Sequence, residues 1–337
     1  MRPLTPRRVF LICAGLCGVL FVAVVISLRM GAYPISALEI VQTLFNRAIG
    51  HRSEISPDFW NVVYEIRLPR IVLGILVGAS LSTAGASFQA LLRNPLADPY
   101  VLGVSSGAAV GAIISMIAAP HIAGAIQLFA FAGAAATIAG VYFLGRRGGQ
   151  LDSGTLLLAG IVTASFLSAV IMFLLTLSGR DLRGMAFWLM GDLASQPTID
   201  SGWLYLVLVL GLGSIYTTSS DLNLILTGEQ EARHLGVNVN RVKLVVYVAA
   251  SVLTGLAVSV SGAIGYVGLL VPHVMRMIFG TDYRLLIPAS AIGGAILVVL
   301  ADTLARTIAS PTELPVGAMT ALAGAPVFIY LMRRRVR

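Results

Sequence analysis

Side chains able to do covalent or acid–base chemistry are few in this sequence and lie scattered. The four histidines, His51, His121, His234 and His273, are far apart. No Cys/His spacing of the kind that builds a tetrahedral metal site occurs, so none is expected. Cys13 and Cys17 stand four positions apart in the first apolar run and read as small apolar residues of one helix face. Ser105 and Ser106 are the only serines in a Gly-containing segment that invite a nucleophile reading, and neither sits in a nucleophile-elbow sequence. The one lysine, Lys243, follows Val242 and precedes Leu244. A phosphate-binding loop needs Gly-Lys-Ser/Thr, so this chain carries none. If ATP drives it, the ATP and its Mg sit on another subunit, and no cofactor is expected here.

What remains is charge in three constellations. The first is Asp221-Leu-Asn-Leu-Ile-Leu-Thr-Gly-Glu-Gln-Glu-Ala-Arg-His-Leu-Gly236, an apolar stretch, a Gly break and a charged turn. Gly228 and Gly236 are suited to end two short helices. Such a helix is suited either to insert into a partner's groove or to lie as a solvated connector, and residue chemistry leaves both open. The second is Arg93-Asn-Pro-Leu-Ala-Asp-Pro-Tyr100, whose two prolines stop one helix and restart another. It is a plain tight turn or the mouth of a pathway. The third is Arg67-Leu-Pro-Arg70 together with Arg306. Arg306 stands one helical turn from Asp302 and can pair with it. Arg67 and Arg70 either anchor at lipid headgroups or form an outward patch for an acidic partner.

The elements that must hold these groups are membrane helices. The chain is 57% hydrophobic and 11% charged, against about 25% charged in soluble domains. Long uncharged stretches recur throughout, as membrane spans require. Ten spans are expected, at about 9–29, 68–91, 100–119, 124–144, 154–178, 201–219, 242–261, 264–279, 286–306 and 315–332. The eighth is short and contains Pro272. The basic start followed by the uncharged run from Val9 to Leu28 is long for a signal peptide and reads as a retained span. With both termini in the cytoplasm, most of the 23 basic residues fall inside, as the positive-inside rule demands. The +8 net charge is therefore a topology signal, with no nucleic acid implied. Residues 30–66 and 180–200 become external segments, the second with a short interfacial helix, and 220–241 the longest internal loop. Gly107 and Gly111 read as ordinary helix packing in lipid. The fold class is all-α: one polytopic domain over 1–337 with about ten transmembrane helices.

At this point the sequence resembles the FecCD-like permeases, the iron-siderophore, haem and cobalamin permease family of type II ABC importers. The resemblance covers about 60–332 and rests on six landmarks in the family's order. They are Arg67-Leu-Pro-Arg70; Gln89 through Gly107; Phe187-Trp-Leu-Met-Gly191; Gly228 through Gly236; Gly265-Tyr-Val-Gly-Leu-Leu-Val-Pro-His273; and Glu313-Leu-Pro through Gly324-Ala-Pro326. It implies a cobalamin-permease-like subunit in a bacterial inner membrane, taking up an iron chelate, haem or cobalamin. The implied partners are a second permease subunit, identical or paralogous, two cytoplasmic ATPases, and a periplasmic or lipid-anchored binding protein. It implies that Gly228, Glu229, Glu231, Ala232, Arg233, Leu235 and Gly236 form the coupling segment on the ATPase. Asn94 and Leu96 match one cytoplasmic gate, and Ser153 and Gly154 match a second, with Gly154 standing where one member has a hydroxyl. Arg67, Arg70 and Arg306 match positions that dock the binding protein.

The competing class is an ion-coupled secondary transporter, which needs ionisable groups near the bilayer centre. Almost every charge here maps to a span end or loop, and the main exception, Asp302, has Arg306 beside it. An intramembrane enzyme would need paired catalytic side chains inside spans, and none are arranged so.

Overall fold

The computed structural model describes residues 4–31, 61–147, 150–179, 182–194, 202–310 and 312–335. Most of the external segment 30–66, with His51, Arg47 and Arg52, lies outside them, as do Arg180 and 195–200. Thirteen α-helices occur among the described residues. They are α1 Pro6–Arg29, α2 Leu68–Leu91, α3 Val104–Ala118, α4 Ala125–Leu144, α5 Ser153–Ser178, α6 Leu182–Leu189, α7 Gly202–Thr217, α8 Ser219–Thr227, α9 Glu229–His234, α10 Val239–Ser261, α11 Val267–Phe279, α12 Tyr283–Thr307 and α13 Val316–Arg335. A π-helical stretch, Asn61–Arg67, leads into α2, and a 3-10 turn, Pro99–Leu102, precedes α3. A two-residue antiparallel pair, β1 Arg146–Arg147 with β2 Gln150–Leu151, straps α4 to α5.

Six of these helices are long and apolar enough to cross a bilayer, and α7 with α8 form a seventh, bent by 46° at their junction. The shorter apolar helices α3, α11 and the apolar part of α13 complete the ten expected segments. The third starts later than expected. Pro99 opens the 3-10 turn and α3 begins only after Gly103.

The central helix is α2, buried along almost its whole length, while α1 and α5 are mostly exposed and suited to face lipid. A bundle without a hydrophobic drive between helices packs by close backbone approach. At the crossing of α2 and α12, a Cβ on Gly78 would overlap the carbonyl of Gly294, so no larger residue fits. Gly107 and Gly111 likewise meet α4, within the chain. Phe88 of α2 meets Tyr247 of α10 edge to face at 6.3 Å between ring centroids.

Irregularities at and before α11 draw on side chains of neighbouring segments. Pro272 lies inside α11, so the carbonyl of Gly268 lacks its helical donor. Gln89 of α2 fills the gap, its Nε2 donating to Leu269 at 3.3 Å and approaching Gly268 O at 3.5 Å. Between α10 and α11 the chain turns through Gly262 and Tyr266, both with φ near +66°. Irregular backbone at membrane depth needs internal partners, and Tyr100 supplies them. Its hydroxyl donates to Ile264 O at 2.9 Å and accepts from Ile264 N–H at 3.0 Å.

Candidate functional site

The groups singled out by sequence collect at the two ends of the bundle. At the end reached by α2 at Leu91, the chain reverses through Arg93, held in the left-handed region at φ 48°. The Asn94 side chain accepts the Leu96 N–H at 2.9 Å, a local turn that an Asn supplies readily. It leaves Leu96 at the tip, 44% exposed. Ser153 opens α5 under an Asp152 cap, and its hydroxyl donates to Leu91 O at 2.9 Å. The turn with Asn94 and Leu96 and the helix start with Ser153 and Gly154 are thus joined at the last turn of α2. Gly154 is exposed, and a Cβ there would make only ordinary contact with Asp152.

The segment from Asp221 to Gly236 folds as its two glycines suggested. Helix α8 ends at Gly228, α9 runs for six residues, and Gly236 follows with φ 87°. Of α9 only Ala232 is buried; Glu231, Arg233, Leu235 and Gly236 are exposed. Glu229 points back into the protein, 2.7 Å from Lys243 Nζ and 3.6 Å from Arg93 Nη2. Lys243 also donates to Leu151 O at 3.1 Å and Arg93 to Ile225 O at 2.8 Å. In the sequence Lys243 excludes a P-loop and counts toward the positive-inside bias, with no partner assigned to it. Its being a lone lysine at the edge of an apolar span was the available signal, because a charge there needs a partner.

Nearby, Asp282 caps α12 and binds Arg284, with Nη2–Oδ2 at 2.6 Å, and Asn223 of α8, with Nδ2–Oδ1 at 2.8 Å. The Arg284 hydrogen bonds, with help from Asn223, hold its carboxyl down at about 2 against partial burial. Asn223 in turn accepts from Tyr283 N–H at 2.9 Å, which ties α8 to α12.

At the opposite end the arginines of the third constellation lie buried. Arg67, Arg70 and Arg306 are only 4%, 6% and 8% exposed. Arg70 pairs with Asp302 through Nε at 2.6 Å and with Glu313 through Nη1 at 2.7 Å. Arg306 pairs with Asp302 one turn away at 3.1 Å and donates to Ser27 Oγ at 2.8 Å. Arg67 donates to Leu28 O at 2.6 Å. A guanidinium close to low-dielectric surroundings is stable only with such partners, so the three side chains turn inward and join α1, α2 and α12. Asp302 is held between two arginines, Arg70 and Arg306. Among the described residues no group of His, Cys, Asp and Glu is placed to hold a metal ion.

Together these features define a multi-span helical membrane protein whose ion pairs gather at its two ends. The FecCD transport family model matches residues 19–334, and the chain belongs to that family. It is 46% identical over 274 residues to the cobalamin import system permease protein BtuC of Halobacterium salinarum, covering 81% of this chain and 74% of the relative. It is 40% identical to the hemin transport system permease protein HmuU of Yersinia pestis, covering 94% and 95%. It superposes on a chain from an inward-facing structure of a metal-chelate-type ABC transporter with TM-score 0.84 and 29% identity, over 98% of this chain and all of the other. The chain is therefore a permease subunit of an ABC importer in the inner membrane; it is a transport subunit and not an enzyme, and ATP hydrolysis belongs to a separate subunit.

Proposed function

We propose that this permease takes up an iron chelate, haem or cobalamin. It acts as one transmembrane domain over 1–337, with both termini in the cytoplasm, and holds no cofactor of its own. The observation that carries the coupling part of this reading is α9. It is a short helix capped at its C-terminus by a large apolar residue, Leu235, 66% exposed, with Glu231 and Arg233 exposed on the helix itself. Such a surface suits a groove on a cytoplasmic ATPase better than open solvent. The cargo class is supported by relatives named for cobalamin, hemin and Fe(3+)-citrate. A second permease, two ATPases and an external binding protein complete the assembly. Cytoplasmic gating falls to Asn94 and Leu96 and to Ser153 and Gly154, whose segments meet at Leu91.

Docking of the binding protein falls to the end carrying Arg67, Arg70 and Arg306. Because these are buried, the accessible member of their cluster is Glu313, whose side chain is 49% exposed. A docking carboxylate would reach Arg70 by displacing it. The test is reconstitution of the complex with its ATPase and binding protein in liposomes. Uptake of cyanocobalamin, hemin and ferric siderophores is followed with and without ATP. ATP-dependent uptake of one of them is expected. ATP hydrolysis stimulated by the loaded binding protein but with no uptake of any of these would reject the cargo class. Uptake driven by an ion gradient without ATP would reject the importer mechanism.

A further inference from the structure

The cytoplasmic charges form one joint. Glu229 is the first residue of α9 and its carboxylate is shared by two cations from different parts of the chain. Lys243 comes from the second turn of α10 and also holds Leu151 O, in the strap one residue before the Asp152 cap of α5. Arg93 comes from the turn after α2 and also holds Ile225 O, at the end of α8. The hydroxyl of Ser153 then closes the circuit on Leu91 O. Four chain segments, the α2–α3 turn, the strap, the α8–α9 junction and α10, therefore converge on one carboxylate.

The distribution of burial gives this convergence a mechanical meaning. Helix α9 has a single buried residue, Ala232, so apolar packing alone anchors it weakly. The Lys243 side chain is 6% exposed, against 29% for Glu229 and 39% for Arg93. A buried ammonium that loses its partner is strongly disfavoured, and charge-assisted hydrogen bonds are short and directional. When α9 is displaced, Lys243 and Arg93 must follow Glu229 or lose their carboxylate and keep only the Leu151 and Ile225 carbonyls. Following carries Leu151 and the start of α5 through the first cation, and the Asn94–Leu96 turn through the second.

We infer that the Glu229–Lys243–Arg93 cluster is the joint through which a movement of α9 reaches both cytoplasmic connectors, with Lys243 as its main positioning residue. The inference rests on the importer reading given above. It separates two branches: Lys243 serves the strap and Gly154, and Arg93 serves the turn and Leu96.

The test uses the complete complex with its ATPase in nanodiscs, with Cys13 and Cys17 changed to Ser. A single cysteine is placed by Leu96→Cys or Gly154→Cys, and its labelling rate by a membrane-impermeant maleimide is compared with and without Mg and a non-hydrolysable ATP analogue. Only complexes that retain the ATPase by size exclusion are measured. Lys243→Met is expected to reduce the nucleotide-dependent change at Gly154→Cys at least about fivefold, with recovery in Lys243→Arg. Arg93→Ala is expected to reduce it mainly at Leu96→Cys. Should Lys243→Met fail to insert, Glu229→Gln carries the same comparison and is expected to reduce the change at both positions. A full nucleotide response in these variants, even with a lowered melting temperature, would show a merely structural pair and overturn the joint. If the parent chain itself gives no response at either position while the ATPase is bound, the assignment of these connectors as gates falls first, and the joint with it.

Discussion

The two ends of this bundle use the same ion-pair chemistry on different scaffolds. At one end Arg70, Asp302 and Arg306 sit on α2 and α12, helices of 24 and 25 residues, with side chains no more than 7% exposed. At the other, Glu229 opens a six-residue helix and its partners come from a turn and a helix start. A fully buried pair between long packed helices can be broken only by separating the helices. A partly exposed pair among short elements can move with them. The first arrangement holds three helices together, and the second suits transmission of a displacement.

The largest expected effect comes from removing the centre of the buried cluster. Asp302→Ala leaves two arginines buried without their shared carboxylate and should lower stability by ~3–5 kcal/mol. Thermal unfolding in detergent checks this, and Glu229→Gln should cost clearly less in the same assay. Equal melting of parent and Asp302→Ala would remove the contrast between the ends.

The contact beneath that cluster comes next. Gly294→Val places a side chain against Ser82 Oγ and Gly78 O. Overpacking of this kind should cost ~1–3 kcal/mol, read by the same unfolding curves, whereas Gly154→Val at the other end should be close to neutral because that position is open.

Tyr100→Phe sharpens the comparison between them, since Tyr100 lies at the turn before α11 and belongs to neither cluster. Losing its hydroxyl leaves Ile264 N–H and C=O without these partners and should cost ~1–3 kcal/mol. Hydrogen exchange of the 262–266 backbone should rise with it, and unchanged exchange would show that the turn is held by other contacts.

The smallest effect is expected at Asp282. Its folded carboxyl lies at about 2, below the ordinary 3.8, chiefly through Arg284. The stability it contributes is thus present above the ordinary value and is lost as pH falls through the folded one. The pair is partly exposed and should contribute ~0.2–1 kcal/mol. The melting difference between parent and Asp282→Asn should shrink as pH is lowered from about 6 toward 2, or as salt is raised. A difference that does not depend on pH would assign the effect to the neutral Asn223 hydrogen bond instead.

Much of this was legible along the chain because it depends on local composition. The ten apolar segments follow from hydropathy, and the α8 and α9 boundaries follow from Gly228 and Gly236. The pairing of Asp302 with Arg306 follows from their separation by one turn, and the missing P-loop from the neighbours of Lys243. The direction in which Arg67 and Arg70 point did not follow. Their positions at a helix start suit a surface anchor and a buried pair equally well, and Arg70 meets Asp302 across 232 positions.

The sequence by itself determined that this is an all-α membrane protein with most of its charges at span ends, because burying polar backbone in lipid leaves few alternatives to apolar helices. Only the tertiary structure decided which charges meet: Glu229 with Lys243 and Arg93, Glu313 with Arg70, Gln89 with the carbonyls around Pro272. The reason is that helices apolar on most faces carry weak rotational information in their hydropathy. Their register is set by close backbone approach, as at Gly78 and Gly294, and by each buried charge finding its partner.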